Sequence, residues 1–296
     1  QVNVSNNTIG GANALMTNAT GNTYNSTGSI YNGGIYVTAA QPTIISNNTI
    51  SHFQYNANGS ATGVFQVFGI YRETAAAVNQ IENNSISHIT SQSPYAGSAA
   101  NVGLSGIYLI SQSANQTLRG NTIHTLRNTN TGSTAQHVYG IYYAATTSGT
   151  NEVSRNFVHS LYANSNGTGA TVAGMYINGG SALVANNMIR IGIDENGDDI
   201  TRGHNFNGIH DQAGTNNYFH NSVYVGGNGV ASGAVATHAF FSAVAANNRA
   251  IQNNIFWNGR SNGAATGSHY AIRIGALTSL TISHNLLFAN GNGGVL

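Results

Sequence analysis

Residues 43–53 read Thr43-Ile44-Ile45-Ser46-Asn47-Asn48-Thr49-Ile50-Ser51-His52-Phe53, and their pattern returns in weakened form along the whole chain. Each copy has an asparagine with an apolar or aromatic residue three positions before it and another two positions after it. These asparagines, spaced 31 to 41 residues apart, are Asn7, Asn48, Asn84, Asn121, Asn156, Asn187, Asn221, Asn254 and Asn285. A near-constant period of this length is typical of stacked repeat architectures.

A second motif runs in step with the first, 12 to 15 residues before each asparagine from Asn48 onward. It consists of a small residue, an apolar residue and usually an aromatic one, as in Gly106-Ile107-Tyr108. The aromatic position is held by Tyr36, Tyr71, Tyr108, Tyr142, Tyr176, His210 and Phe241. Neighbouring strand residues point to opposite sides, so these side chains are predicted to form an outward stripe that could bind carbohydrate or a partner protein. The alternative is that the rings stack on one another or are covered by loops.

Short runs with period-two alternation, 37 glycines and only 2 prolines indicate strands joined by turns. Three strands in about 34 residues would close one coil of a β-solenoid. We therefore predict an all-β chain, a single domain over residues 1–296, with about nine coils. The repeated asparagines are predicted to take left-handed backbone angles at a bend and to hydrogen-bond from coil to coil.

The combination of Asn-Asn-Thr-Ile with Gly-Ile-Tyr resembles the repeat of the right-handed parallel β-helix, or pectin-lyase-like, superfamily. The resemblance extends from Val4 to Leu287. It implies a parallel β-helix, and the superfamily includes pectate lyases, polygalacturonases, phage tailspikes and bacterial surface proteins and adhesins. A shared fold does not determine the function. The surface-protein and adhesin type is the one that this chain is expected to follow.

The composition narrows the classes of partner. Charged residues make up 6% of the chain and the formal net charge is +1, so no basic surface for nucleic acid is expected. The absence of cysteine excludes disulfides and thiolate metal sites. No apolar run reaches membrane-spanning length, so membrane insertion is not expected. The sequence begins inside a repeat, and we expect a longer natural chain that is extracellular or displayed on a cell surface.

Carboxylates carry the chemistry of the superfamily's enzymes, and this chain has 8 acidic residues. They are not paired at matched positions of adjacent coils, as acid–base catalysis would require. We assign no catalytic residue and lean against an enzyme. The densest acidic segment is 191–211, which would hold a catalytic site if one exists.

Within that segment, Asp194, Asn196 and Asp198 resemble the start of a calcium loop, where alternate oxygen ligands converge on a cation. A solvated acidic turn is the alternative, because the closing glutamate of such a loop is missing. No other cofactor is predicted. His52, His88, His124 and His159 recur three or four residues after the asparagine and indicate either a transition-metal site or a stack of rings.

A third outward face changes along the chain. The residues flanking the inward position after the asparagine are hydroxyls in the early coils and large apolar groups in the late ones. We predict that Ile255, Trp257, Leu286 and Phe288 form an assembly face, because exposed apolar patches of this kind mark contact sites. The predicted function is structural, adhesive or filament-forming, with further copies or other parts of a longer chain as partners. The alternative is a polysaccharide-binding or polysaccharide-cleaving protein that uses residues 194–211 and the aromatic stripe.

Overall fold

A computed structural model describes residues 1–11, 16–17, 30–55, 65–74, 78–95, 102–167 and 169–296. The strands in the first third are β1 (Val2–Ser5), β2 (Thr8–Gly10), β3 (Met16–Thr17), β4 (Ile30–Val37), β5 (Thr43–Ser46), β6 (Thr49–Tyr55), β7 (Phe65–Thr74), β8 (Asn79–Glu82) and β9 (Ser85–Ser91). There follow β10 (Leu104–Ser111), β11 (Thr117–Arg119), β12 (Thr122–Asn128), β13 (His137–Ala144), β14 (Asn151–Ser154), β15 (Phe157–Ala163), β16 (Thr171–Asn178), β17 (Ala182–Ala185) and β18 (Met188–Ile191). The last are β19 (Asn205–Ala213), β20 (Asn217–Phe219), β21 (Ser222–Val225), β22 (Thr237–Ser242), β23 (Arg249–Gln252), β24 (Ile255–Asn258), β25 (His269–Ile274), β26 (Leu280–Ser283), β27 (Leu286–Ala289) and β28 (Gly294–Val295).

These strands build three parallel sheets, and each coil contributes one strand to each sheet. The first sheet has the order β1-β5-β8-β11-β14-β17-β20-β23-β26, and the second runs from β4 through β7, β10, β13, β16, β19, β22 and β25 to β28. The third has the order β2-β6-β9-β12-β15-β18-β21-β24-β27, with β3 paired to β6. The predicted all-β parallel solenoid is confirmed, and it is consistent with a right-handed parallel β-helix. Nine strands stack in the first sheet, whereas there are about 7 turns of about 34 residues, so the predicted count of nine coils is slightly high.

The interior is filled by columns of apolar side chains that repeat at one register position. The first sheet contributes Ile45, Ile81, Leu118, Val153, Val184, Tyr218 and Ile251, all fully buried. The third sheet contributes Ile50, Ile86, Ile123, Val158, Ile189, Val223 and Phe256, all buried. Each member pairs in register with its neighbour one coil away, as Leu118 does with Val153. The period of the sequence is therefore the period of the core.

The asparagine ladder is confirmed, and Asn121 shows its geometry. Its side-chain Nδ2 and its backbone N–H both donate to Oδ1 of Asn156, at 3.0 Å each. The same Nδ2 also donates to the backbone carbonyl of Ile81 in the preceding coil, at 2.8 Å. Because Asn121 is fully buried, these bonds satisfy polar groups that the bend would otherwise leave without partners.

The expected backbone angle of the ladder is wrong by one residue. The left-handed residue is the one before each ladder asparagine, as at Asn47, Asn83 and Asn186, with φ of 56°, 57° and 56°. A left-handed residue there turns the chain and leaves the next side chain pointing into the solenoid. Asparagine tolerates this conformation better than most residues, which explains why the repeat so often has two asparagines in succession.

The small residue of the second motif is required by close packing at the corner between sheets. A Cβ atom added to Gly106 would lie 2.4 Å from Cγ2 of Ile123 and 2.7 Å from the carbonyl oxygen of Gly140. Neither distance is possible for a real side chain. The glycine therefore lets the second and third sheets approach each other and fixes where the aromatic residue leaves the core.

Candidate functional site

The outward residues of β18, β21, β24 and β27 form what we call the apolar face. It comprises Met188, Arg190, Ser222, Tyr224, Ile255, Trp257, Leu286 and Phe288, which align in register through three strand pairings. Five of its large apolar side chains are exposed by 41 to 55%. The four residues predicted as an assembly face are among those five, so the structure places them together on one surface. Their role in assembly remains a prediction.

The apolar face has a cleft in its middle. Ser222 lies between Met188 and Ile255 in the same column, and its small side chain leaves a cleft of about 420 Å³. Tyr224 and Trp257 line one side, with ring centroids 5.0 Å apart in an edge-on arrangement. The indole N–H of Trp257 donates to Oδ1 of Asn290 at 2.9 Å, which holds the ring in place. The apolar face is therefore not flat but has a cleft over Ser222 with aromatic rings on one side.

The aromatic stripe points outward from the second sheet, but most of it is covered. Tyr71, Tyr108, Tyr142 and Tyr176 are only 1 to 4% exposed, so the expectation of an open stripe is wrong for them. Their rings stack coil upon coil, with centroids 4.7 Å apart between Tyr71 and Tyr108 and 4.6 Å between Tyr108 and Tyr142. The alternative of mutual stacking is confirmed.

These tyrosines pack with further side chains on the outside of the second sheet, namely Phe68, Val102, Tyr139 and Ala173. Burial raises the pKa of Tyr176 to about 12, so the phenols stay neutral. Of the predicted stripe, Tyr36 is exposed, whereas His210 and Phe241 are half-buried. A continuous row of open rings is therefore not present, and the stripe acts as a second, external core.

The four recurring histidines form a column on the third sheet. Ring centroids lie 4.6 Å apart for His52 and His88, 5.4 Å for His88 and His124, and 4.7 Å for His124 and His159. In the two closest pairs the rings are parallel, so their nitrogen lone pairs do not converge on one point as a metal ion would require. Burial lowers the pKa of His159 to about 4, which keeps this ring neutral in the stack.

The acidic segment forms a tight turn that uses one of its own carboxylates. Oδ1 of Asp194 accepts the backbone N–H groups of Asn196 and Asp198, at 2.9 Å each. Ile193 and Asp199 close the turn as an antiparallel bridge. No group of three or more His, Asp or Glu side chains that could hold a metal is found among the described residues. The solvated turn is what the geometry shows, and calcium binding stays a prediction.

Two arginines tie this turn to the solenoid from opposite sides. Arg127, two coils earlier, forms a salt bridge with Glu195. Arg260 is fully buried, donates to the carbonyls of Ile200 and Gly226 at 2.9 and 3.0 Å, and lies 4.4 Å over the ring of Phe206. Burial lowers the pKa of Arg260 to about 10. The acidic segment is therefore bonded to the coils on both sides of it.

A polar cleft of about 260 Å³ lies between this turn and the third sheet. It is lined by Arg127, Tyr162, Asp194, Asp199, Ile200, Thr201 and Arg202. Arg202 is held by Oδ1 of Asn164 and Oδ1 of Asn166, at 2.6 Å each. Two guanidinium groups, an aromatic ring and two carboxylates thus meet in one opening, which offers hydrogen-bond donors and acceptors to a polar ligand.

The other end of the acidic segment lies inside the solenoid. Asp211 is fully buried, accepts from the Ser242 hydroxyl at 2.8 Å and lies 3.6 Å from the buried guanidinium of Arg249. Burial raises its pKa, although the bonds from Ser242 and the charge of Arg249 oppose this. The expected single site over residues 191–211 is thus divided, because Asp211 cannot reach a substrate in the outer cleft.

Several polar residues inside the fold were not predicted. Asn79 donates to Oε1 of Gln116 at 2.5 Å, and the Gln116 backbone N–H donates to Oδ1 of Asn151 at 3.0 Å, so a second amide ladder runs beside the first sheet. Arg72 is also fully buried and bonds Oδ1 of Asn79 at 2.6 Å. The second ladder has the same period as the first and could have been found from it.

Comparison with known proteins finds no match: no protein-family model, no curated protein and no solved structure is similar to this chain. The pectin-lyase-like assignment therefore stays a resemblance in the repeat motif, supported by the fold alone. The described residues include no helix long and apolar enough to cross a bilayer. The surfaces of the solenoid are therefore the basis for a proposed function.

Proposed function

We propose that this chain is a structural or adhesive β-helical domain of a secreted or surface-displayed protein, and that its apolar face binds another copy of the chain. One observation carries the proposal: five large apolar side chains are exposed side by side on the outer face of neighbouring coils. Exposed apolar patches often mark contact sites. The low charge of the chain offers little repulsion between copies. The location outside the cell rests on the resemblance to surface β-helices.

Sedimentation velocity tests this function. The chain is compared with a Trp257→Asp, Phe288→Asp variant, in which two charges would have to be buried at the contact. We expect the unmodified chain to sediment faster as its concentration rises and the variant to stay monomeric. The matched control is Thr8→Asp, Thr49→Asp, which adds the same charges to exposed positions of the same sheet in the first two coils. An unmodified chain that stays monomeric at every concentration would refute the proposal.

A second candidate function is the binding or cleavage of a uronic-acid polysaccharide at the polar cleft. The observation that favours it is the convergence of Arg127, Arg202 and Tyr162 with Asp194 and Asp199 in one opening. Guanidinium groups bind carboxylates in pairs of hydrogen bonds, and an aromatic ring supports the face of a sugar. Titration with an oligo-uronate, together with an assay for new chain ends, tests it. Binding that is lost in Arg202→Ala and kept in Arg273→Ala would establish the site, and no binding would exclude it.

A further inference from the structure

The apolar face has a pattern of large and small residues that is complementary to itself. One column contains Met188, Ser222, Ile255 and Leu286, and the other contains Arg190, Tyr224, Trp257 and Phe288. Each strand of the face presents one rung, which is a pair of outward side chains, one from each column. The rungs of Ile255 and Leu286 each contain two large apolar side chains. In the rung of Ser222 and Tyr224, the small serine leaves one side low. The rung of Met188 and Arg190 contains a flexible thioether and a guanidinium. Along the rod, the column of Ser222 is therefore low at one rung, whereas the other column has a large side chain at every rung.

We propose that the second copy binds antiparallel to the first, about a two-fold axis that lies along the strands between the rungs of Ser222 and Ile255. This inference rests on the proposed function, since it specifies how the copies meet. Such an axis reverses the order of the rungs and keeps each column opposite itself. Ile255 of each copy then faces the Ser222 cleft of the other, and Leu286 faces Met188. An interface of this kind is isologous, so it closes as a pair.

The opposed side chains are chemically suited to each other. Phe288 of one copy faces Arg190 of the other, and a guanidinium over an aromatic ring is a favourable cation–π pair. Arg190 takes part in none of the salt bridges found among the described residues. Ile255 would enter the cleft of about 420 Å³ that lies over Ser222. The face contains no acidic residue, so the contact buries no carboxylate.

A parallel arrangement of the two copies fits the same face less well. It would set each rung against the same rung of the other copy, with the columns exchanged. Ser222 would meet Tyr224, Ile255 would meet Trp257, and Leu286 would meet Phe288. Arg190 would then face Met188 instead of an aromatic ring. The antiparallel arrangement sets Arg190 against the ring of Phe288, and Ile255 against the small side chain of Ser222. Close packing without voids is what stabilises a contact between two sheets.

The size of the face determines how strong the contact can be. Four rungs at about 4.8 Å and four residues at about 3.3 Å give a surface of roughly 19 by 13 Å. That is less than the roughly 800 Å² per partner of a standard stable interface. We therefore expect a weak pair whose formation depends on concentration.

Cysteine crosslinking tests the arrangement, and the chain suits it because it contains no cysteine. Met188→Cys and Leu286→Cys are made as separate variants at two exposed positions and treated with a short bis-maleimide, alone and mixed. In the antiparallel pair the two positions face each other, whereas each lies about 14 Å along the rod from its own equivalent. We expect crosslinked dimers in the mixture and not in either variant alone.

The other outcomes separate this inference from the proposed function. Crosslinks in each variant alone would show that the copies pair in another orientation, which overturns the arrangement but keeps the assembly. Monomers throughout, with no crosslink in any sample, would overturn both. As a second measurement, Ser222→Phe fills the cleft and is expected to weaken pairing by about tenfold or more. Ser85→Phe, at the same column in an early coil, should leave pairing unchanged.

Discussion

The third sheet has an early and a late region, which have the same backbone arrangement but differ in their outward side chains. In the first four coils the outward column holds Thr8, Thr49, Ser85 and Thr122, and in the last two it holds Ile255 and Leu286. The inward column is apolar throughout, from Ile50 to Phe256. The ladder asparagines make the same bonds in both regions. The core and ladder thus determine the fold, and the outward residues are free to differ and to carry the function.

The largest expected effect concerns the buried ion pair between Asp211 and Arg249, in the later part of the chain. Arg249→Met should destabilise the chain by about 3–5 kcal/mol, because it leaves the buried carboxylate of Asp211 without its cation. The measurement is the free energy of unfolding in urea. The double variant Asp211→Asn, Arg249→Met should recover part of this loss. Equal loss in the single and double variants would show that the pair has no special interaction.

The ladder should be equally important in both regions. Asn121→Ala and Asn221→Ala should each lower the free energy of unfolding by about 1–3 kcal/mol, because each leaves buried donors and acceptors without partners. Asn196→Ala, at an exposed position of the acidic turn, is the control and should have little effect. A clear difference between the two ladder variants would show that the two regions do not share one kind of core.

Acid should weaken the late region through its buried histidines. Burial lowers the pKa of His204 and His269 to about 4, below the usual value of 6.5. The unfolded chain therefore binds more protons than the folded chain between these values, so stability is full above pH 6.5 and falls as the pH drops toward 4. His204→Gln keeps a donor toward the carbonyl of Ala163, and it should reduce the loss between pH 6.5 and 4 by about 1–2 kcal/mol. An unchanged pH profile would contradict this assignment.

The smallest expected change in the free energy of unfolding comes from exchanging the surface residues of the late coils, and this exchange compares the two regions most directly. Replacing Ile255 and Leu286 by threonine gives the late coils the surface of the early ones. Because both side chains are 43 to 50% exposed, the free energy of unfolding should change by about 0.5 kcal/mol or less per site. Sedimentation should nevertheless show that self-association is lost. A large loss of stability in the monomer would mean that these residues belong to the core.

The sequence predicted what depends on periodicity. The ladder from Asn7 to Asn285, the inward columns and the parallel sheets follow from it, because each coil repeats the packing of its neighbour. The exposure of Ile255 and Trp257 was predicted for the same reason. The left-handed position was misplaced by one residue, since a pattern does not distinguish the residue that bends the chain from the one that points inward.

Features that depend on contacts between distant residues could not be predicted. Periodicity places Tyr71 and Tyr108 on the outside but does not show that stacking and neighbouring side chains cover them. Arg260 reaches a carbonyl 60 residues earlier, and Glu195 reaches an arginine 68 residues earlier. Such pairs have no fixed spacing, so the sequence does not show that the acidic turn lies beside Arg127. The division of segment 191–211 between surface and interior likewise needed the three-dimensional structure.

The chain contains one tryptophan, and it lies on the apolar face, so its fluorescence tests the central claim most directly. Trp257 is 41% exposed in the isolated chain. If the face binds another copy, raising the protein concentration from low micromolar to near millimolar should shift the Trp257 emission to shorter wavelength and reduce its quenching by acrylamide. The Ile255→Thr, Leu286→Thr variant should show neither change. An emission spectrum and a quenching constant that stay the same over the whole range would contradict the account.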